Sequence, residues 1–310
     1  MIIFTDLDGS LLNHSDYSYY EALPALKKIR AADIPLVMCT SKTRNEVEVI
    51  LGKMGLKEPF IVENGGGIFF PKNYRGFRIE KSIIIHDLKC IPLGMPYGMI
   101  RTFMDRFGPR FSIRGFGDMT EKEIAARTGL PLNMAAHAKA REFTEPFTIE
   151  HEGRIRFLEK TALEAGIKIT RGGRFFHFIG CGNDKGEAVK LTKAVFERNK
   201  RKQELTIGLG DSLNDLPMLK QVDIPVLIPH PDGSYEDISL PNLIHAPFPG
   251  SKGWNETVLN ILATFKRIEE RGWKFSGNDR IEWKSLSRGR RTGSKSMRAP
   301  LAKKANVSGM

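Results

Sequence analysis

The chain has 310 residues, 41% of them hydrophobic, with a formal net charge of +12. Such a chain can bury a sizeable core and divides into two units more readily than it stays one. No window holds about 18 uninterrupted apolar residues, and the apolar opening Met1-Ile2-Ile3-Phe4 runs straight into acids, so a membrane-spanning or exported chain is not expected.

The charge is unevenly placed. From Lys266 to Met310 there are 13 Lys and Arg against 4 Asp and Glu, which is +9 of the +12 and leaves the body near neutral at +3. Any polyanion binding would therefore belong to that tail. Cys39, Cys90 and Cys181 are widely separated and form no CxxC pair, which argues against a disulfide framework or a zinc site and fits a reducing cytoplasm.

In chain order, Ile2-Ile3-Phe4 reads as a strand and Tyr20 to Ala32 as a helix, with Leu23, Leu26 and Ile29 at helical spacing. Pro35 to Cys39 is a second strand, Asn45 to Met54 a helix, Phe60-Ile61-Val62 a third strand, and Gly65-Gly66-Gly67 a turn. The pattern then changes. Tyr97 to Phe107, Thr120 to Thr128 and Lys160 to Gly166 look helical, while Phe143 to Glu150 and Phe175 to Ile179 look like strands. The first rhythm returns with a helix over Gly186 to Asn199, a strand over Leu205 to Leu209, a short helix over Asp215 to Gln221 and a strand over Val226 to Ile228.

Strands alternating with helices indicate an α/β fold, a doubly wound parallel sheet covered on both faces. The expected division is a discontinuous Rossmann-like core at residues 1–85 and 178–265, an inserted α+β cap at 86–177 with helices on one antiparallel sheet, and a basic, disordered tail at 266–310.

In an open parallel sheet the ligand site lies beyond the carboxyl ends of the strands. Four polar clusters fall at such positions: Asp6-Leu7-Asp8-Gly9-Ser10, Thr40-Ser41-Lys42, Asn183-Asp184-Lys185-Gly186 and Gly210-Asp211-Ser212-Leu213-Asn214-Asp215. Taken singly, each could be a helix cap or turn. Together, Asp6, Asp8, Asp211 and Asp215 at one sheet edge would repel one another without a counterion. A hard divalent cation resolves this, and magnesium fits best because it takes one or two carboxylates, keeps waters and accepts a substrate phosphate oxygen. Thr40 as a hydrogen-bond donor and Lys185 as a point charge then suit a phosphoryl group, so the reaction class is phosphoryl transfer.

These segments resemble the haloacid dehalogenase superfamily of phosphohydrolases, with DxDG, a strand-terminal hydroxyl, a lysine and GDxxxD in order over residues 1 to about 265. The resemblance implies Asp6 as the nucleophile that forms an aspartyl-phosphate and Asp8 as the acid and base for the leaving group and water. It further implies Thr40, or else the neighbouring Ser41, and Lys185 as catalytic groups. Asp6, the backbone carbonyl of Asp8, and Asp211 would hold the metal, with Asp215 a direct or water-mediated ligand. Ser10 stands where the commonest pattern has Thr and keeps the hydroxyl.

Within the superfamily, Cys39-Thr40-Ser41-Lys42-Thr43-Arg44, Glu63-Asn64-Gly65-Gly66-Gly67, Arg141 to Phe147 and Arg171 to His177 look like the mannosyl-3-phosphoglycerate phosphatase family. That likeness implies a phosphorylated sugar substrate and names Ser41, Lys42, Arg44, Asn64, Gly65, Arg141, Glu142, Arg171 and Arg174 as substrate-binding candidates, since arginine forks bind carboxylates and acids bind sugar hydroxyls. His177 reads as a packed strand residue of the cap or seam, and His14 as an exposed loop residue. Two other readings stay open: a phosphatase for another sugar phosphate, such as glucosyl-3-phosphoglycerate or a disaccharide phosphate, and a protein that binds polyanions non-specifically through Arg288, Arg290, Arg291, Lys295 and Arg298 of the tail.

Overall fold

A computed structural model describes residues 1–172 and 175–270. Its strands are β1 (Ile2–Thr5), β2 (Leu36–Cys39), β3 (Phe60–Val62), β4 (Gly67–Pro71), β5 (Ile83–Ile85), β6 (Leu88–Pro92), β7 (Ile113–Gly115), β8 (Thr144–Ile149), β9 (Ile167–Gly172), β10 (Phe175–Gly180), β11 (Thr206–Gly210), β12 (Ile224–Leu227) and β13 (Ile244–His245). The α-helices are α1 (Leu23–Ala31), α2 (Arg44–Met54), α3 (Tyr97–Phe111), α4 (Glu121–Thr128), α5 (Leu132–Lys139), α6 (Ile155–Glu164), α7 (Lys185–Lys200), α8 (Leu216–Leu219) and α9 (Gly250–Glu270).

The larger sheet has the order β13-β12-β11-β1-β2-β3-β4-β6-β5. From β13 to β3 it is parallel, and β1 lies between β11 and β2, with Ile2 paired to Thr206 and Ile3 to Leu36. Every residue of β1 and β2 is buried, as continuous apolar runs covered on both faces require. On one face Ile2, Phe4, Val37 and Ile61 pack against Val189 and Phe196 of α7 and Met218 of α8. On the other, the buried Trp254 of α9 donates from Nε1 to Oγ1 of Thr5 at 2.9 Å, and α9 lies along α1. The chain is thus α/β with a doubly wound, mostly parallel core.

The second sheet is antiparallel, in the order β7-β8-β10-β9. Its core joins Phe147 and Phe178, stacked 4.0 Å apart, to Ile100 and Phe103 of α3 and Leu158 and Ala162 of α6. A smaller apolar cluster holds Phe116 with Ile124 of α4 and Ala135 and Ala138 of α5.

Several elements fall elsewhere than the periodicity suggests. The stretch Tyr20 to Ala32 opens with a 3-10 turn at Tyr20–Ala22 before α1. The glycine turn leads into an antiparallel extension, β4-β6-β5, so Leu88–Pro92 joins the larger sheet although it lies beyond residue 86, and β10 carries the smaller sheet to Gly180 rather than 177. Helix α9 continues to Glu270, so residues 266–270 of the expected tail are helical; its remainder, 271–310, and Arg174 lie outside the described residues.

Candidate active site

The loops after β1, β2 and β11 meet at the carboxyl edge of the larger sheet. A type of turn that side chains resist carries the first: Gly9 has φ +79°, and a Cβ there would run into Oδ2 of Asp211. Glycine is therefore what lets the loop bearing Asp6 and Asp8 approach the loop bearing Asp211. Ser10 supports the same contact, its Oγ 3.4 Å from Oδ1 of Asp211.

Asp6 is fixed from behind as well as from the front. Thr5 Oγ1, which accepts from Trp254, donates to the carbonyl of Asp6 at 2.7 Å. In front, Lys185 stands at the first turn of α7, a position set by Asp184, whose Oδ1 accepts from the backbone N–H groups of Gly186 and Glu187 at 2.6 and 3.0 Å. From there Lys185 Nζ reaches Oδ1 of Asp6 at 2.9 Å and Oδ1 of Asp215 at 2.7 Å, all three side chains being buried. The other carboxylate oxygen of Asp215 accepts from the backbone N–H of Asp211 at 3.1 Å and of Ser212 at 3.2 Å. Asp215 therefore holds both the lysine and the loop that presents Asp211.

Burial, reinforced by the charge of Asp215 and only partly offset by Lys185, pushes Asp6 up to about 7. Burial and the charges of Asp6 and Asp215 push Asp211 up to about 9. Burial disfavours the ammonium of Lys185, yet Asp215 and Asp6 outweigh it and hold the lysine protonated well above its ordinary range.

Asp6, Asp211 and Asp215 offer ligand atoms that all lie within 4.8 Å of one another. Three carboxylates this close, two of them held above the ordinary carboxylate range by burial and mutual repulsion, form a donor set that fits a hard divalent cation. The carboxylate of Asp8 is turned elsewhere: Oδ2 pairs with Lys42 Nζ at 2.8 Å, and Oδ1 is buried without a hydrogen-bond partner. Burial works against the Lys42 ammonium, but Asp8 and Glu46 raise it overall, and its Nζ also stands 5.1 Å from the centre of the Tyr17 ring.

Asp6, Asp8 and Asp211 open into a cavity of about 940 Å³. Ser41, Lys42, Asn64, Arg141 and Arg171 line it, together with His14 and His177, so His177 faces the site as well as packing in the smaller sheet. Asn64 Oδ1 is buried there with no partner. Thr40 lies under the lining, its Oγ1 accepting from the N–H of Lys42 at 3.2 Å. Gly65, at φ +89°, packs instead against the carbonyl of Asp184, where a Cβ would not fit. Arg44 and Glu142 are not brought to the cavity, because each serves the other: Arg44 Nε donates to Glu142 Oε1 at 3.0 Å and Nη1 to Glu48 Oε2 at 2.6 Å.

Three of the four segments that carry the family likeness meet here. Arg141 Nη1 donates to the carbonyl of Ser41 at 2.9 Å, Thr43 Oγ1 donates to the carbonyl of His137 at 2.9 Å, and the carboxylate of Glu63 accepts from residues 142–144. Glu63, Trp254 and Tyr17 are among the residues around the site to which the sequence reading assigns no role. For Glu63 a signal existed in its place beside Asn64 and the glycines.

Residues 3–87 match the haloacid dehalogenase-like hydrolase family. A glucosyl-3-phosphoglycerate/mannosyl-3-phosphoglycerate phosphatase of Persephonella marina is 54% identical over 268 residues, 86% of this chain and 99% of that protein. Its namesake in Methanococcoides burtonii is 42% identical over 271 residues, again 86% and 99% of the two chains. The crystal structure of Thermoplasma acidophilum 0175 superposes with a TM-score of 0.60 at 19% identity, covering 86% of this chain and 97% of that one, which speaks to the fold alone. With 54% of the aligned residues identical along 99% of such a relative, the chain belongs to the glucosyl-3-phosphoglycerate/mannosyl-3-phosphoglycerate phosphatases, within the haloacid dehalogenase-like hydrolases.

Proposed function

We propose that this chain is a magnesium-dependent phosphatase that hydrolyses mannosyl-3-phosphoglycerate to mannosylglycerate and phosphate. The observation that carries the reading is the convergence of Asp6, Lys185, Asp211 and Asp215 beside a cavity that Asp6 and Asp211 line together with Arg141, Arg171 and His177. In this reading the larger sheet provides the chemistry, and the segment bearing the smaller sheet acts as a cap that reads the leaving group.

The Asp6 carboxylate attacks phosphorus, the ester oxygen leaves, and an aspartyl-phosphate forms. Asp8 gives a proton to the departing alkoxide, then takes one from the water that cleaves the acyl-phosphate and restores Asp6. Lys185 holds Asp6 in line and faces the charge that develops on the phosphoryl oxygens, with Thr40 or Ser41 as the hydroxyl donor. Asp6, Asp211 and the Asp8 carbonyl, with Asp215 beside them, would hold magnesium, which would supply positive charge for the phosphate oxygens. Lys42, Asn64, Arg141 and Arg171 are placed to bind the rest of an anionic sugar phosphate.

A cytoplasmic location suits the free thiols of Cys39, Cys90 and Cys181. Among the described residues no helix is long and apolar enough to cross a membrane.

The two relatives named for both glucosyl and mannosyl esters favour a second reading, in which either sugar is accepted. Phosphate release from mannosyl-3-phosphoglycerate, glucosyl-3-phosphoglycerate and simple hexose phosphates decides the matter. Preference for one or both glycosyl-glycerates is expected, and equal rates on hexose phosphates would refute the substrate class.

A further inference from the structure

Glu63 has features that ordinary packing does not require. It follows β3 at φ +51°, Asn64 follows at +57° and Gly65 at +89°, so two residues with side chains hold a left-handed backbone in succession. That conformation costs on the order of 1 kcal/mol or more per residue and persists where the surroundings impose it. The Glu63 side chain is completely buried. Its Oε1 accepts from the N–H of Glu142 at 2.8 Å, and its Oε2 accepts from the N–H of Phe143 at 3.1 Å and from Thr144 Oγ1 at 2.6 Å.

A carboxylate is costly to bury, and this one is met by three neutral donors rather than by a directly bonded cation. Burial raises it above the usual range, with Arg141 and the three hydrogen bonds opposing. All three donors come from the segment that enters β8. The main chain of Glu63 faces the other way: its N–H donates to the carbonyl of Lys42 at 3.0 Å. One residue thus ties the loop carrying Lys42 to the loop carrying Arg141.

Arg141 is the residue so placed. Its Nε donates to the carbonyl of Ala138 at 2.9 Å and its Nη1 to Ser41 and to Thr144 Oγ1, which leaves Nη2 outside these contacts while the residue lines the cavity with Asp6 and Asp8. Thr144 joins the two arrangements, since its Oγ1 donates to Glu63 and accepts from Arg141.

We infer that Glu63 is a positioning residue for substrate recognition: its carboxylate clasps the backbone N–H groups of residues 142 and 143 and the Thr144 hydroxyl so that Arg141 stands over the phosphoryl-transfer site. The inference rests on the phosphatase reading. It makes Glu63 matter for substrates that carry an anionic group beyond the transferred phosphate, and leaves it indifferent to the displacement itself. Loosening the clasp costs affinity because the arginine must then be ordered when the substrate binds.

The test compares the wild type with Glu63→Gln, which keeps the shape but sets an NH2 against at least one of the three donors, and with Thr144→Val, which removes one donor together with one acceptor of Arg141. Each is assayed on mannosyl-3-phosphoglycerate and on p-nitrophenyl phosphate with magnesium. The expected result for Glu63→Gln is a KM for the sugar ester at least tenfold higher, kcat within threefold of wild type, and unchanged turnover of the aryl phosphate. Thr144→Val moves the same KM less, in the same direction. Equal losses on both substrates, or no change in the KM of either variant, overturn the inference. A wild-type protein inert toward both esters overturns the phosphatase reading as well.

Discussion

The ammonium of Lys185 lies 2.9 Å from Oδ1 of Asp6, and both groups are shut away from solvent. The pair is completed by Asp215 at 2.7 Å, so one cation is shared between two carboxylates. Replacing the lysine would strand those charges. Lys185→Met is expected to destabilise the protein by about 3–5 kcal/mol, the range for breaking a buried ion pair, and to abolish turnover. Urea unfolding of the variant measures the first effect, and a midpoint equal to that of the wild type would contradict the ion-pair account.

Asp6→Asn removes the oxygen proposed to attack phosphorus while keeping the size of the side chain. Phosphate release is expected to fall by a factor of about 10³ or more, on the order of 4 kcal/mol of activation free energy. Asp8→Asn differs in kind, because the nucleophile survives: turnover slows and a phosphoenzyme accumulates, detectable by acid-quench labelling. Retained activity in Asp6→Asn would refute its assignment.

Metal and pH are linked through the same cluster. Asp6 and Asp211 are raised in the folded protein, to about 7 and about 9, against an ordinary value of 3.8. A raised acid binds more protons folded than unfolded, so its contribution is fully present below about pH 4 and is lost as the pH climbs through the folded values. Metal-free protein should therefore lose thermal stability steadily between about pH 4 and 9. Magnesium binds the ionised carboxylates, so the melting-temperature gain on adding it should widen across that window. A gain that is constant with pH would show that these two carboxylates are not where the ion acts.

Trp254 supports Asp6 from the opposite face through Thr5. Trp254→Phe leaves the Thr5 hydroxyl without its donor and trims a fully buried indole, with an expected cost of about 1–3 kcal/mol in stability. Turnover should drop severalfold at saturating substrate. A stability loss with kcat untouched would mean that Thr5 does not steady the nucleophile.

The Persephonella marina relative is spanned to 99% of its length by 86% of this chain. Removing residues 276 to 310 is accordingly expected to leave turnover unchanged, while any binding to polyanions, steeply weakened by salt, should go with them. A large loss of activity on truncation would assign the basic segment to the enzyme.

What could be read from the sequence was the chemistry concentrated at strand ends. Asp6, Asp8, Lys185 and Asp211 each follow an apolar strand or open a helix, and the repulsion among the acids pointed to a cation before any geometry was known. Arg44 and Glu142 illustrate the opposite case. Each carries a charge suited to a sugar phosphate, but they are 98 residues apart in sequence and spend that charge on each other. Nothing local could reveal the pairing. The β4-β6-β5 extension was hidden for another reason: Ile83 and Ile84 are exposed on an edge strand, so no alternation marks a buried face. Helix α9 escaped notice although its Trp254 is wholly buried, because its role depends on a hydroxyl 249 residues earlier.

The pairing of β1 with β11 sets residue 2 against residue 206. During synthesis β2 follows β1 closely, yet Lys185 is made 179 residues after the Asp6 it pairs with, and β11 later still. The early segment must wait as an apolar strand with one side unpaired, and contacts of such long sequence separation close slowly. A fragment ending before Gly210 would hold Asp6 and Lys185 but lack Asp211 and Asp215, the other two members of the acidic cluster.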